Sequence, residues 1–99
     1  MAKLILRQEA INDLNDIWEY TAHKWSENQA DKYYGLIRTA CREIAETSLI
    51  GRNYDEIDIR LLGCRVGKHI VFYQMLQNDE VEVIRILHEQ MDLKSKLPK

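Results

Sequence analysis

Val83-Ile84-Arg85-Ile86-Leu87-His88-Glu89-Gln90-Met91-Asp92 sets an arginine inside an apolar run and ends that run in a His-x-x-Met-Asp turn. A guanidinium among β-branched and aliphatic neighbours is tolerated only when it is paired or faces a groove. Arg85 therefore marks a place where the fold gives up apolar packing for another purpose. The run itself, Val81 to about His88, is β-branched and short enough to read as a strand.

Working backwards, the pattern predicts two more strands, roughly Asp58 to Arg65 and His69 to Leu76, separated by hairpin-length links at Gly67-Lys68 and Gln77-Asn78-Asp79-Glu80. In the middle strand Ile70, Phe72 and Leu76 share one face with Gln74, and Val71, Tyr73 and Met75 share the other. Apolar residues on both faces predict a central strand covered by helices on one side and by something partial on the other.

Upstream the period changes. Glu9 to about Lys24 has helical spacing, with Ile11, Leu14, Trp18 and Ala22 on one side and Asn12, Asp13, Asn15, Asp16 and Glu19 largely opposite. Ser26 followed by Gln29 matches a capping box and predicts a second helix through about Thr47, on the apolar positions Ala30, Tyr33, Ile37, Ala40, Cys41, Ile44 and Ala45. So short a link makes the two helices an antiparallel hairpin. Ser48 to Asn53 reads as a loop, and Lys3 to Arg7 as an N-terminal strand. The aromatic residues Trp18, Trp25, Tyr33 and Tyr34 are expected to pack in the core and between the helices.

The chain is α+β: an N-terminal strand and an antiparallel helical hairpin packed on a small antiparallel sheet. Its 99 residues suit one domain, 1–99. Composition is that of a soluble globule, 45% hydrophobic and 30% charged with one proline. Net charge is −2, with 6 basic against 8 acidic residues in the first fifty positions and 8 against 8 in the rest. That balance argues against nucleic-acid binding by charge alone, and no sequence-specific contact to nucleic acid is expected. Lys94, Lys96 and Lys99 make a small basic tail. Cys41 and Cys64 have no metal-ligand spacing, so no metal or cofactor is expected and a reduced, cytoplasmic setting is the simplest one. The start, Met1-Ala2-Lys3-Leu4-Ile5-Leu6, is too short an apolar run for a signal peptide or a membrane span.

Three segments resemble the ParE toxins of the RelE/ParE toxin–antitoxin superfamily. Lys68-His69-Ile70-Val71-Phe72-Tyr73 is similar to the family's middle strand, and Arg85 to Asp92 to its closing strand and turn. Ala10-x-x-Asp13-Leu14-x-x-Ile17-x-x-Tyr20 agrees with its first helix, and the order strand, helix, helix, three strands covers nearly the whole chain. The resemblance implies the toxin of a type II system used in plasmid or chromosome maintenance. Such a toxin inhibits DNA gyrase by stabilising its DNA cleavage complex and is neutralised by a ParD-like antitoxin. The alternative within the superfamily is a RelE-like endoribonuclease that cuts messenger RNA on the ribosome.

Chemistry separates the two. Attack by a ribose 2′-hydroxyl needs a proton acceptor, a proton donor and cations for the developing phosphorane charge. Here the cations are Arg60, Arg65, Lys68 and Arg85, and the proton-transfer candidates are His88, His69 and Tyr73. Met91 stands about where the ribonuclease branch places an aromatic or acid–base residue, and a thioether exchanges no proton. The loop Gly51 to Asp58 carries three acids and one arginine where that branch carries lysines. No catalytic residue is therefore expected. Arg60, Arg65, Lys68, Tyr73, Arg85, His88, Met91 and Asp92 are candidates for contact with a target or the antitoxin. Leu14, Trp18 and Ala22 are candidates for an antitoxin groove. Competing structural roles are an ion pair from Arg85 to Asp58 or Glu82, and a strand-end cap by His88.

Overall fold

The computed structural model describes residues 3–47, 50–91, 93 and 97. Strand β1 (Lys3–Leu6) is followed by helices α1 (Gln8–Lys24) and α2 (Glu27–Glu46), then by β2 (Arg52–Asn53), β3 (Leu62–Val66), β4 (His69–Met75) and β5 (Glu80–His88). The sheet order is β1-β5-β4-β3-β2. The chain is α+β as expected, but the sheet is mixed: β1 runs parallel to β5, pairing Lys3 with Glu80 through Leu6 with Val83. A single strand carries too little pattern to reveal its direction, and the return of the chain through α1 and α2 sets it.

Two helices bind because each supplies one apolar stripe. Ala10, Leu14 and Ile17 of α1 and Ile37, Cys41 and Ile44 of α2 are buried against Val71, Tyr73, Val81, Val83 and Ile86 of the sheet. The buried stripe is turned slightly from the one the spacing predicts, so Ile11, placed in it, lies on its exposed margin. Ser26 starts α2 as expected, its Oγ accepting from the Gln29 N–H at 3.0 Å, a cap that contributes about 1 kcal/mol. Across the hairpin Trp18 Nε1 donates to Asp31 at 2.9 Å. Trp25 departs from its expected packing role: it is the C-cap of α1, where the chain turns out of the helical phase, and it is 70% exposed.

The second face of the sheet carries a smaller core of Tyr54, Leu61, Ile70, Phe72, Ile84, Leu87 and Leu97. Tyr54 meets Phe72 edge-on with ring centroids 5.1 Å apart. The loop segment around Tyr54 and Leu61 therefore supplies the partial cover that an apolar middle strand requires, and β4 is central as expected. The strand predicted from Asp58 begins only at Leu62, because Asn53 and Asp55 hold the intervening backbone in turns. Asn53 Oδ1 accepts from Asp55 N at 2.7 Å and Asp55 Oδ1 from Arg60 N at 2.9 Å. Arg52 and Asn53, read as loop, pair with Gly63 and Leu62 instead.

One irregularity decides which residues face the helices. Phe72 lies opposite Arg85 but Tyr73 opposite Val83, so Ile84 is an extra residue in β5. Val81 and Val83 thereby face the helices together with Ile86, while Ile84 and Leu87 join the second core. At the far hairpin Asn78 and Asp79 take φ of 63° and 56°, a left-handed backbone that these two residue types tolerate better than most.

Tyr33 ties α2 to the β3–β4 turn. Its hydroxyl lies 2.6 Å from His69 Nδ1 and 3.1 Å from the Val66 carbonyl, and it accepts from the Lys68 N–H at 3.2 Å. Gly67 has φ +57°, and a Cβ there would stand 2.8 Å from the Tyr33 ring. Gly67→Ala is expected to cost about 1–2 kcal/mol from the backbone alone, read by urea denaturation; a loss under about 0.5 kcal/mol would contradict the turn's role.

Burial and the neighbouring His88 lower His69 from its ordinary 6.5 to about 4, against an opposing pull from Asp13. Between those two pH values the unfolded chain holds the extra proton, so this contribution to stability is complete above about 6.5 and is lost as pH falls toward about 4. His69→Gln is expected to flatten the fall in unfolding free energy over that window relative to the parent chain. Parallel pH profiles for the two proteins would refute the assignment.

Candidate functional site

The strand arginine is committed to the fold. Arg85 Nε and Nη2 donate to the two carboxylate oxygens of Asp13 on α1, at 2.7 and 2.9 Å, with both side chains largely buried. The same carboxylate accepts from the Ile86 N–H at 3.0 Å. Strand β1 covers β5 only as far as Val83, and Asp13 satisfies the next exposed edge donor. The partner is thus neither Asp58 nor Glu82, which pairs with Arg7 at 2.9 Å. This paired, hydrogen-bonded guanidinium is held even more firmly in its charged form than a free one.

The other candidates separate into distinct places. Tyr73 is fully buried and its hydroxyl accepts from Gly51 N at 2.9 Å, so it offers no contact surface. Leu14 is 5% exposed and belongs to the core rather than to a groove. Trp18 and Ala22 do line a shallow depression of about 340 Å³ with Glu19, His23 and Glu27. Arg60 sits on the exposed loop before β3 with a left-handed φ of 66°. Met91 is exposed, and Asp92, like Lys94, Lys96 and Lys99 of the tail, lies outside the described residues.

Arg65, Lys68 and His88 come together at one end of the sheet. Arg65 forms a two-pronged ion pair with Glu89, whose second oxygen lies 2.8 Å from Nη2. His88 Nδ1 accepts from Gln90 N at 3.1 Å, the strand-end cap weighed from the sequence. Its ring stands edge-on to His69, centroids 5.2 Å apart.

Beside this pair opens a cleft of about 790 Å³ between the tip of the helical hairpin and the β3–β4 turn. Tyr20, Lys24, Trp25 and Tyr33 line it from the helices, and Lys68, His69, His88 and Gln90 from the sheet. Sequence reasoning found only its sheet half. Lys24, Trp25 and Tyr33 lie more than thirty positions from Lys68, and only the antiparallel hairpin brings them opposite. Helical spacing puts Asp13 on the polar face of α1, although an arginine inside a strand calls for a carboxylate partner and Asp13 stands three positions after the buried Ala10. Among the described residues no cluster of three or more His, Cys, Asp or Glu could hold a metal ion, and no helix is long and apolar enough to cross a membrane.

Residues 4–93 match the family model of the ParE toxin of the type II toxin–antitoxin system parDE. Toxin ParE1 of Caulobacter vibrioides is 33% identical over 92 residues, covering 93% of this chain and 94% of that protein. Toxin ParE1 of Mycobacterium tuberculosis is 30% identical over the same length and the same shares, and Toxin ParE of Escherichia coli 30% over 97 residues, 98% of this chain and 94% of its own. In solved structures, a chain of the chromosomal ParDE system of P. aeruginosa superposes with a TM-score of 0.76 at 14% identity, covering 89% of this chain and 96% of that one. That last likeness concerns the fold, and the sequence matches carry the family. The chain belongs to the ParE toxin family of type II toxin–antitoxin systems.

Proposed function

We propose that this toxin acts by binding rather than by cutting: it holds DNA gyrase in its DNA-cleaved state in the cytoplasm and is neutralised by a ParD-like antitoxin. The antitoxin follows from the family and from the ParDE system whose toxin fold this chain shares. One observation favours a non-enzymatic action over ribosome-dependent RNA cleavage. Three of the groups that RNA cleavage would use are already engaged: Arg85 by Asp13, Arg65 by Glu89, and Tyr73 beneath the helices. A phosphorane needs cations and a proton donor aimed at open space; Arg85 and Tyr73 are turned into the fold, and the exposed Arg65 is held by Glu89. His88 caps its strand end.

Gripping a large protein needs no proton transfer. It needs a rigid surface with a few desolvated anchors. Arg60, Arg65, Lys68 and Met91 are exposed candidates for such contacts.

Two assays test the reading together. Purified toxin added to gyrase and plasmid is expected to abolish supercoiling or accumulate linear DNA, while transcripts in a coupled translation extract stay intact. Codon-positioned transcript cuts with unaffected gyrase would contradict it. His88→Ala is expected to retain most of the gyrase effect, whereas a nuclease relying on this side chain would lose on the order of 10² to 10⁴ in rate.

A further inference from the structure

We infer that the cleft between Tyr20, Lys24 and Trp25 of the hairpin tip and Lys68, His69 and His88 of the sheet end is where the antitoxin anchors, through a large apolar side chain flanked by carboxylates. This rests on the proposed antitoxin partner and places its main anchor away from the Trp18–Ala22 face. Charge is the first reason. The chain has two more acidic than basic residues, yet among the described residues no aspartate or glutamate lines this cleft, and two lysines do. Neither Lys24 nor Lys68 has a carboxylate partner among the described residues; Lys24 Nζ instead donates to the Tyr20 hydroxyl at 3.2 Å.

Exposed aromatic surface is the second reason. Trp25 is 70% and Tyr20 62% exposed, both on one wall of the cleft. Such rings on a free monomer favour association, and a tryptophan with a tyrosine on one wall of a concave site is the composition of a protein-binding hot spot rather than of a solvated face. The volume, about 790 Å³, matches a concave site for a compact group. A concave cleft of this kind takes one projecting segment that orders as it binds. It does not fit the broad surface of a globular enzyme, and the chain's negative balance disfavours a nucleic-acid strand.

The imidazoles suit the same occupant. His69 is neutral near pH 7, and it is held from α2 by Tyr33 and from β5 by His88, with Asp13 of α1 pulling the other way. A neutral ring packs against an apolar group without a charge to desolvate, leaving the lysines to meet the carboxylates.

The test uses the full toxin and the antitoxin encoded beside it. In a Trp18→Phe background, Trp25 emission is expected to shift to the blue on complex formation. Lys24→Glu with Lys68→Glu, and separately Trp25→Ala, are expected to weaken the complex at least tenfold, with unchanged melting temperature because all three side chains are exposed. Arg52→Glu on β2 serves as the control and is expected to bind as the parent does. Wild-type binding with unmoved Trp25 emission and charge-reversed variants that bind normally would overturn the inference while leaving the antitoxin itself in place. A blue shift produced by a single-stranded oligonucleotide and not by the antitoxin would overturn it as well. Failure of the parent toxin to capture any neighbouring small protein would refute the proposed partner and this site together.

Discussion

The carboxylate of Asp13 holds the two halves of the molecule in register. It grips the Arg85 guanidinium with both oxygens and takes the Ile86 N–H that β1 leaves uncovered. A helix packed on a sheet by apolar contact alone slides at little cost, because dispersion and area burial are non-directional. Three charge-assisted bonds from one side chain fix the helix against the last strand in both translation and rotation. The two cores on opposite faces of the sheet, and the meeting of hairpin tip with sheet end, follow from that alignment.

This link also explains why a strand arginine is a poor guide to catalysis here. From the sequence Arg85 had two readings, an ion pair or a contact with a target, and the pair is the one realised, with an unexpected partner. Asp13 is not legible as that partner because it sits among Asn12, Asn15, Asp16 and Glu19, and helical spacing assigns all of them to water. It lies at the margin of the buried stripe, where a small rotation of the helix turns a solvated carboxylate into a largely buried one. Ile11 marks the other margin of the same rotation.

Much of the rest was legible for a physical reason. The Ser26 cap, the central position of β4, the Gly67 turn and the strand-end role of His88 are written in local residue types whose geometry depends on few neighbours. What was hidden depends on distant pairing: the parallel direction of β1, the bulge at Ile84, and the two-residue β2. The cleft was half legible, since Lys68, His69 and His88 stood out, whereas Tyr33, Lys24 and Trp25 join them only through the antiparallel hairpin. Trp25 shows the limit most clearly: helical spacing counted it as core, and the end of α1 one residue earlier turned it to solvent.

The central claim is that Arg85 is bound to the fold and not held for a phosphate, and a double-mutant cycle tests it directly. Asp13→Asn, Arg85→Gln and the combined variant would be compared by unfolding free energy in urea. The pair predicts a coupling of about 1.5–3 kcal/mol, as for hydrogen bonds between charged groups. Losses that simply add, within about 0.5 kcal/mol, would show that the two side chains act independently and would return the arginine to the list of groups free to meet a target.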